Sequence, residues 1–433
     1  MGDANRHVVA IFGGACAGST AADILAARGV EVVVFEQNAR PYGKIEDGLP
    51  RWHRDQRRME YKRIDARLDR PGVHVVPRTR LGTDFEFADV TQWGFSAVLL
   101  ANGAWRDRPL DVPDAEAWVD RGLVYQNPFI YWFNHAPEAS YAGPRYVVPP
   151  GAICIGGGLA SIDVIKVFQL ELYGRALAAR GIDVPMHDLE HAGIPATCQK
   201  HGIADPRDLG VDNAWLVYRR RIEDMPLATP PPGATADQVL KIEAVRRKML
   251  VKAQEKFLFH MRPMALPVAL LTEGDRVAGV RFVETEMREG KAVPLEGSFE
   301  LRSALVVSAI GSLPEPLPGI VMKGTFYDYA DWDTGAYAPV PGVFGVGNVV
   351  TGRGNIKASE HHAKDVAHWL VEHYLGVQPE GVARTTDGVA DGPERHAEAA
   401  ATQVAHFLEA RPVLPAAHAD ALVARVRARQ AEV

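Results

Sequence analysis

The chain has 433 residues, 47% of them apolar and 24% charged, with a formal net charge of −6. That length predicts two or three domains, and so mild a charge excludes an overall pull toward nucleic acid or a membrane surface. Cys16, Cys154 and Cys198 stand singly with no C-x-x-C, which argues against a redox disulfide, a zinc site or an iron–sulfur cluster in the chain and fits a reducing compartment.

The first predicted element is a strand from His7 to Phe12, too early to leave room for a signal peptide. Arg6 occupies the position where myristoylation after Met1-Gly2 needs Ser or Thr. No apolar run reaches the length of a membrane span. A soluble, cytoplasmic protein is expected.

The strand enters Gly13-Gly14-Ala15-Cys16-Ala17-Gly18, a helix to Ala27, and a second strand from Val30 to Phe35 that ends at Glu36. In a dinucleotide fingerprint the first glycine makes the tight turn and the second admits the pyrophosphate. The third packs helix on strand, and an acid about 20 residues on holds a ribose hydroxyl. Gly13 and Gly18 supply the first and third glycines, Ala15 sits at the second, and Glu36 is the acid; a plain structural turn is the alternative. Residues 51–80 then carry ten Lys/Arg against Asp55, Glu60, Asp65 and Asp69, a local basic segment in a net-acidic chain.

Asn127 to Pro150 is rich in proline and aromatics and reads as a connection between domains. A second strand–turn–helix unit follows: Ala152–Ile155, Gly156-Gly157-Gly158, and a helix through Phe168, closed by a strand from Ala214 to Tyr218. Residues 171–212 read as a polar insertion before that strand. The strand ends in Arg219-Arg220-Arg221 rather than an acid. Guanidinium groups there suit the 2′-phosphate of NADP, whereas an acid favours NAD; a solvated basic turn is the bland reading. Pro230 to Gly233 breaks the chain, an amphipathic helix is predicted from Ala236 to Lys256, and strands at Gly279–Glu286 and Ala304–Ala309. From Gly376 the sequence turns Ala- and Arg-rich and ends in a helical tail bearing Arg425, Arg427 and Arg429. Continuous apolar strands predict parallel sheet buried on both faces. His361 and His362 are neighbours on a helix and point apart, so they read as surface or core histidines rather than a metal pair.

These residues carry a resemblance. Val217-Tyr218-Arg219-Arg220 with Glu223-Asp224-Met225-Pro226 looks like the NADPH segment of glutamate synthase small subunits. Phe129 to Glu138 is similar to the F-x-x-W-Y-N-G-x-P segment of adrenodoxin reductases. Leu99-Leu100-Ala101-Asn102-Gly103-Ala104 resembles the A-T-G-A turn between domains, and Ser308-Ala309-Ile310-Gly311 its second copy. Val343 to Asn348 with Gly352 resembles the late flavin-binding strand and helix start. The match runs in order from about residue 7 to 375.

The resemblance implies an α/β fold of two Rossmann-like dinucleotide-binding domains, one for FAD and one for NAD(P), the second inserted in the first. The implied boundaries are 1–115 and 319–433 for the FAD domain, with the helical tail, and 116–318 for the NAD(P) domain. Gly13, Gly14, Ala15, Gly18 and Glu36 then bind the ADP half of FAD, and Leu81 gives a backbone contact to adenine. Gly43 and Lys44, a lysine where the family has leucine, approach the flavin. Gly103 lies in the crossing turn. His53 stands near the isoalloxazine as a proton relay. Gly347, Asn348, Gly354, Asn355 and Ile356 hold the ribityl chain and ring, with Asn348 where many relatives have aspartate. Gly156, Gly158, Leu159, Ala160, Arg219 and Arg220 bind the nicotinamide nucleotide, NADP(H) being favoured.

The implied activity is an FAD-dependent NAD(P)H oxidoreductase of the ferredoxin–NAD(P) reductase type. Hydride passes between nicotinamide C4 and flavin N5, and electrons go to or from a separate iron–sulfur protein steered by the basic 51–80 segment. Three alternatives stay open. One is the flavin subunit of a larger complex, such as a tungsten-containing aldehyde oxidoreductase that reduces NAD. Another is a non-catalytic assembly subunit, suggested by Ala15, Lys44 and Asn348. The last, a flavin oxidase or monooxygenase, is opposed by the Gly156 turn and its arginines.

Overall fold

The computed structural model describes residues 7–231, 233–377 and 397–409. The Met1-Gly2 start, Pro232 and the tail arginines Arg425, Arg427 and Arg429 lie outside the described residues. The chain divides into two compact units. The first comprises the described residues up to Glu46, Arg54–Arg106 and those from Ser312 onward; the second comprises Asp47–His53 and Asp107–Gly311.

The first unit is built on a seven-stranded sheet. Its order is Tyr329–Asp331, Ala336–Tyr337, Val343–Gly345, Ala97–Leu100, Val8–Phe12, Glu31–Phe35 and Val73–Val76. The five strands from Val343–Gly345 to Val73–Val76 run parallel, with Ala10 opposite both Val33 and Val98. The other two are antiparallel additions at one edge. Val8–Phe12 is buried along its whole length, which explains the absence of alternation in its sequence. Val8, Ala10 and Phe12 join a core with Phe85, Tyr327 and Ala401, whereas Val9 and Ile11 join another with Ala21, Leu25 and Val366. Each buried Val, Ile, Leu or Phe among them contributes about 1.5–3 kcal/mol of burial. The Ala-rich helix Cys16–Ala27 stops where Gly29 takes φ +80° and the Val30 amide turns back to Leu25 O at 3.2 Å.

The second unit holds a five-stranded parallel sheet in the order Leu123–Tyr125, Val306–Ser308, Ile153–Ile155, Trp215–Val217, His260–Arg262. Beside it lies an antiparallel meander, Ala265–Glu273, Arg276–Arg288 and Lys291–Arg302. The stretch read as a connection, 127–150, contains a helix, Gln126–His135, whose Phe129, Ile130 and Phe133 are buried. Phe129, Trp132 and Phe133 are core packing rather than linker, whereas Tyr131 is exposed. The 171–212 excursion is largely helical: Leu159–Ala178 runs past its start, and Met186–Ala192 and Ile194–Lys200 follow. The helix Ala236–Phe257 opens on a capping box of Thr235 and Gln238 but buries only Leu250 and Phe257.

Candidate functional site

In the first unit, the turn after Val8–Phe12 admits little but glycine. Gly13 has φ +102°, and a Cβ there would lie 2.6 Å from Ala101 O. A Cβ on Gly18 would lie 1.8 Å from Gly13 O, so helix and strand exit touch at the backbone. The Gly14 amide donates to Glu36 Oε2 at 2.8 Å, and the Asn38 amide donates to Glu36 Oε1 at 2.9 Å. Glu36, 3% exposed, thus closes the turn from the end of its strand. Ala15 caps the helix Cys16–Ala27 without a side-chain hydrogen bond, and no acid stands in its first turn. Its leading amides are therefore the kind of group an anion satisfies. Gly43, at φ +48°, lies so near that a Cβ on it would be 3.0 Å from Ala15 Cβ.

The later segments converge on the same helix start. Gly347 has φ +75°, and a Cβ there would meet Ala17 Cβ at 2.4 Å. Asn348 Oδ1 accepts from the Gly354 amide at 2.7 Å, and Asn355 Oδ1 accepts from the Ala358 amide at 2.7 Å, capping Ile356–Trp369. Ile356 packs against the core around Ile11 and Leu25. Lys44 Nζ lies 3.1 Å from Ser312 Oγ and 5.4 Å from the Trp105 ring centroid. Gly103 has φ +71°. Beside Gly13, Asn102 gives its Nδ2 to Tyr327 Oη at 2.9 Å and leaves Oδ1 buried with no partner among the described residues. Leu81 is buried and bridges to Phe85.

His362 is a site residue that sequence reasoning missed. The Gly347 amide donates to His362 Nδ1 at 3.0 Å, so that nitrogen is the bare one and the ring proton sits on Nε2, 3.3 Å from Trp332 O. Burial holds the imidazole below its usual 6.5. No local signal marks it, because its partner is fifteen positions away across a loop. Among the described residues no group of three or more His, Cys, Asp and Glu side chains is placed to hold a metal ion.

In the second unit, Gly156 would place a Cβ 2.4 Å from Ala309 O. A Cβ on Gly157 would lie 2.3 Å from Tyr218 Cε2, so the middle glycine makes room for a tyrosine ring fixed by its Oη donating to Asp224 O at 3.1 Å. Gly158 is open, with Pro226 at 3.9 Å, and starts Leu159–Ala178 without a side-chain cap. Leu159 is exposed and Ala160 half-buried at that helix start. The three arginines part company. Arg221 makes a two-pronged pair with Asp224 at 3.0 and 3.1 Å. Arg220 donates to Gly290 O on the meander. Arg219 is exposed and makes no ion pair among the described residues.

His53 lies in the second unit, with Nε2 3.5 Å from Asp163 Oδ1 on Leu159–Ala178. Its segment is held by Asn134 Nδ2, which donates to Asp47 O and Leu49 O at 3.1 Å each, and by Arg51, which donates to Phe133 O at 2.6 Å. Burial, reinforced by Glu360 and Glu60, pushes the Cys16 thiol up to about 12, and burial raises Cys154 as well.

Fold and turns together define a two-unit Rossmann-like α/β protein with a glycine turn and an uncapped helix start in each unit. Comparison with known proteins gives the likeness its particulars. The glutamate synthase [NADPH] small chain of Mycobacterium tuberculosis (strain ATCC 25618 / H37Rv) is 27% identical over 375 residues, 80% of this chain and 62% of that protein. The mitochondrial NADPH:adrenodoxin oxidoreductase of Arabidopsis thaliana is 23% identical over 162 residues, 37% of this chain and 32% of that protein. The structure of Mycobacterium tuberculosis FprA in complex with NADPH matches with a TM-score of 0.68 at 20% identity, covering 94% of this chain and 90% of that one. The resemblance carried by the motifs is thus found again along most of the chain. The chain spans 62% of the length of the glutamate synthase small chain it matches. No family model matches it. No helix among the described residues is long and apolar enough to cross a membrane.

Proposed function

We propose that this chain is an FAD-dependent NAD(P)H oxidoreductase that exchanges electrons with a separate iron–sulfur protein. The observation that carries this reading is the pair of glycine turns, one closed by the Glu36 carboxylate and the other flanked by Arg219. The residues fit the groups. Gly13, Gly14 and Gly18 keep side chains off the first turn, Glu36 suits a ribose diol, and the open Gly158 with Arg219 suits a nucleotide bearing a 2′-phosphate. The relatives named for NADPH support the same choice.

When bound, FAD supplies the chemistry that converts a hydride into single electrons. The chain's part is to hold and orient. Gly347, Asn348 and Asn355 fix the late loop, and Gly43 places the 41–43 turn against Ala15. His53, with Asp163 to orient it, holds a proton at Nε2. Three free thiols suit a cytoplasmic setting.

A second reading, a flavin subunit fixed in a larger complex, is favoured by the relatives named as small chains and by the added helices at 186–200. Purification with FAD tests both. A yellow protein bleached faster by NADPH than by NADH supports the proposal, and co-elution with iron–sulfur subunits selects the second form. A protein that stays colourless with added FAD refutes both.

A further inference from the structure

The basic charges of residues 51–80 do not form one patch. Arg51 turns inward to Phe133 O, Arg57 donates to Glu46 O, and Arg63 pairs with Glu60. Arg67, Arg70 and Arg80 pair with Glu360, Asp23 and Glu315. On the helix Arg54–Leu68, Arg54, Arg58 and Lys62 are what is left: all exposed and without an ion pair among the described residues. Their spacing of four puts them in one stripe, where like charges repel and oppose the helix. Asp55 and Met59, the latter 46% exposed, border the stripe. Three exposed cations thus face one bordering carboxylate, Asp55, in a chain that is net negative as a whole.

The opposite face is anchored next to the first glycine turn. Ile64 and Leu68 are buried in the first unit's core. The Tyr61 ring stacks on Tyr42 at 3.9 Å, and Tyr42 Oη donates to Asp65 at 3.0 Å. Gly43, the next residue, is the one that lies against Ala15. We infer that the outer face of Arg54–Leu68 is the docking surface for an acidic iron–sulfur protein, with Arg54, Arg58 and Lys62 pairing its carboxylates and Met59 meeting a small apolar spot. This rests on the electron-transfer reading above.

The test is the full-length, FAD-loaded variant Arg54→Glu/Arg58→Glu/Lys62→Glu. NAD(P)H-driven reduction of an acidic [2Fe–2S] ferredoxin is followed against ionic strength, with a neutral quinone as second acceptor. At low salt, kcat/KM for ferredoxin is expected to fall at least 10-fold and its salt dependence to flatten, while FAD content and quinone reduction stay at wild-type values. Three outcomes overturn the docking surface alone: unchanged ferredoxin kinetics, a wild type that reduces quinone but not ferredoxin, or an equal loss in the control Lys241→Glu/Lys248→Glu/Lys252→Glu. A wild type that binds no FAD or reduces no quinone overturns the parent reading, and the inference with it.

Discussion

Replacing Glu36 by glutamine separates two jobs of one carboxylate. Its two oxygens take the Gly14 and Asn38 amides at 2.8 and 2.9 Å in a site 3% exposed to solvent. Glutamine keeps one oxygen, so one amide must face an NH2 group instead. Losing a hydrogen bond to a buried charge costs about 2 kcal/mol, which for a domain of this size is roughly 4–8 °C in melting temperature. That loss belongs to folding, because both amide bonds form without any ligand. Binding changes separately: a neutral oxygen on a ribose hydroxyl is weaker than a charged one by about 1 kcal/mol, or roughly a 5-fold rise in the FAD dissociation constant. Thermal melting of the apoprotein reads the first, and quenching of flavin fluorescence reads the second. A variant that melts lower yet binds FAD as tightly as wild type would refute the ribose assignment. A variant unchanged in both would refute the closure of the turn as well.

Other substitutions probe the remaining parts. Arg219→Ala is expected to lower kcat/KM with NADPH roughly 10–100-fold and leave NADH within 2-fold, as loss of one charge-assisted phosphate contact requires; steady-state kinetics with both nucleotides check it. Arg220→Ala instead frees Gly290 O and is expected to affect the two nucleotides equally. Gly157→Ala pushes a methyl into the Tyr218 ring and is expected to raise KM for the nicotinamide nucleotide about 10-fold at unchanged FAD content, with Tyr218→Ala restoring part of the loss. His362 titrates below 6.5 in the fold and near 6.5 when unfolded, so its contribution is complete above about 6.5 and is lost as pH falls through the folded value. Apoprotein melting between pH 7.5 and 5 is expected to decline less in His362→Gln than in wild type.

What the sequence disclosed follows the range over which each constraint acts. Gly13 and Gly18 were legible because the clash that forbids a side chain lies within one turn of chain. Glu36 was legible because one helix and one strand fix its distance from the turn. The parallel strands were legible because burial on both faces leaves runs such as Val8–Phe12 without polar breaks. Asn127–Pro150 was misread since proline and aromatics are equally the composition of a packed helix like Gln126–His135. His362 was beyond reach: its Nδ1 takes the Gly347 amide, a partner set only by tertiary folding.

The same distinction bears on whether this fold has kept its chemistry. Ala15, Lys44 and Asn348 depart from the expected pattern, and each departure is met by a partner in the first unit. The Ala15 methyl faces Gly43, a residue with no side chain to oppose it. Lys44 reaches Ser312 and Trp105, and Asn348 keeps an oxygen on the Gly354 amide. Gly13 and Gly14 stay bare and the buried Glu36 carboxylate stays bonded to the Gly14 amide, so the turn keeps its shape despite the three departures. The compensation is local and pairwise, and it preserves the turn that a pyrophosphate needs. That pattern weighs toward a working nucleotide site over a vestigial one.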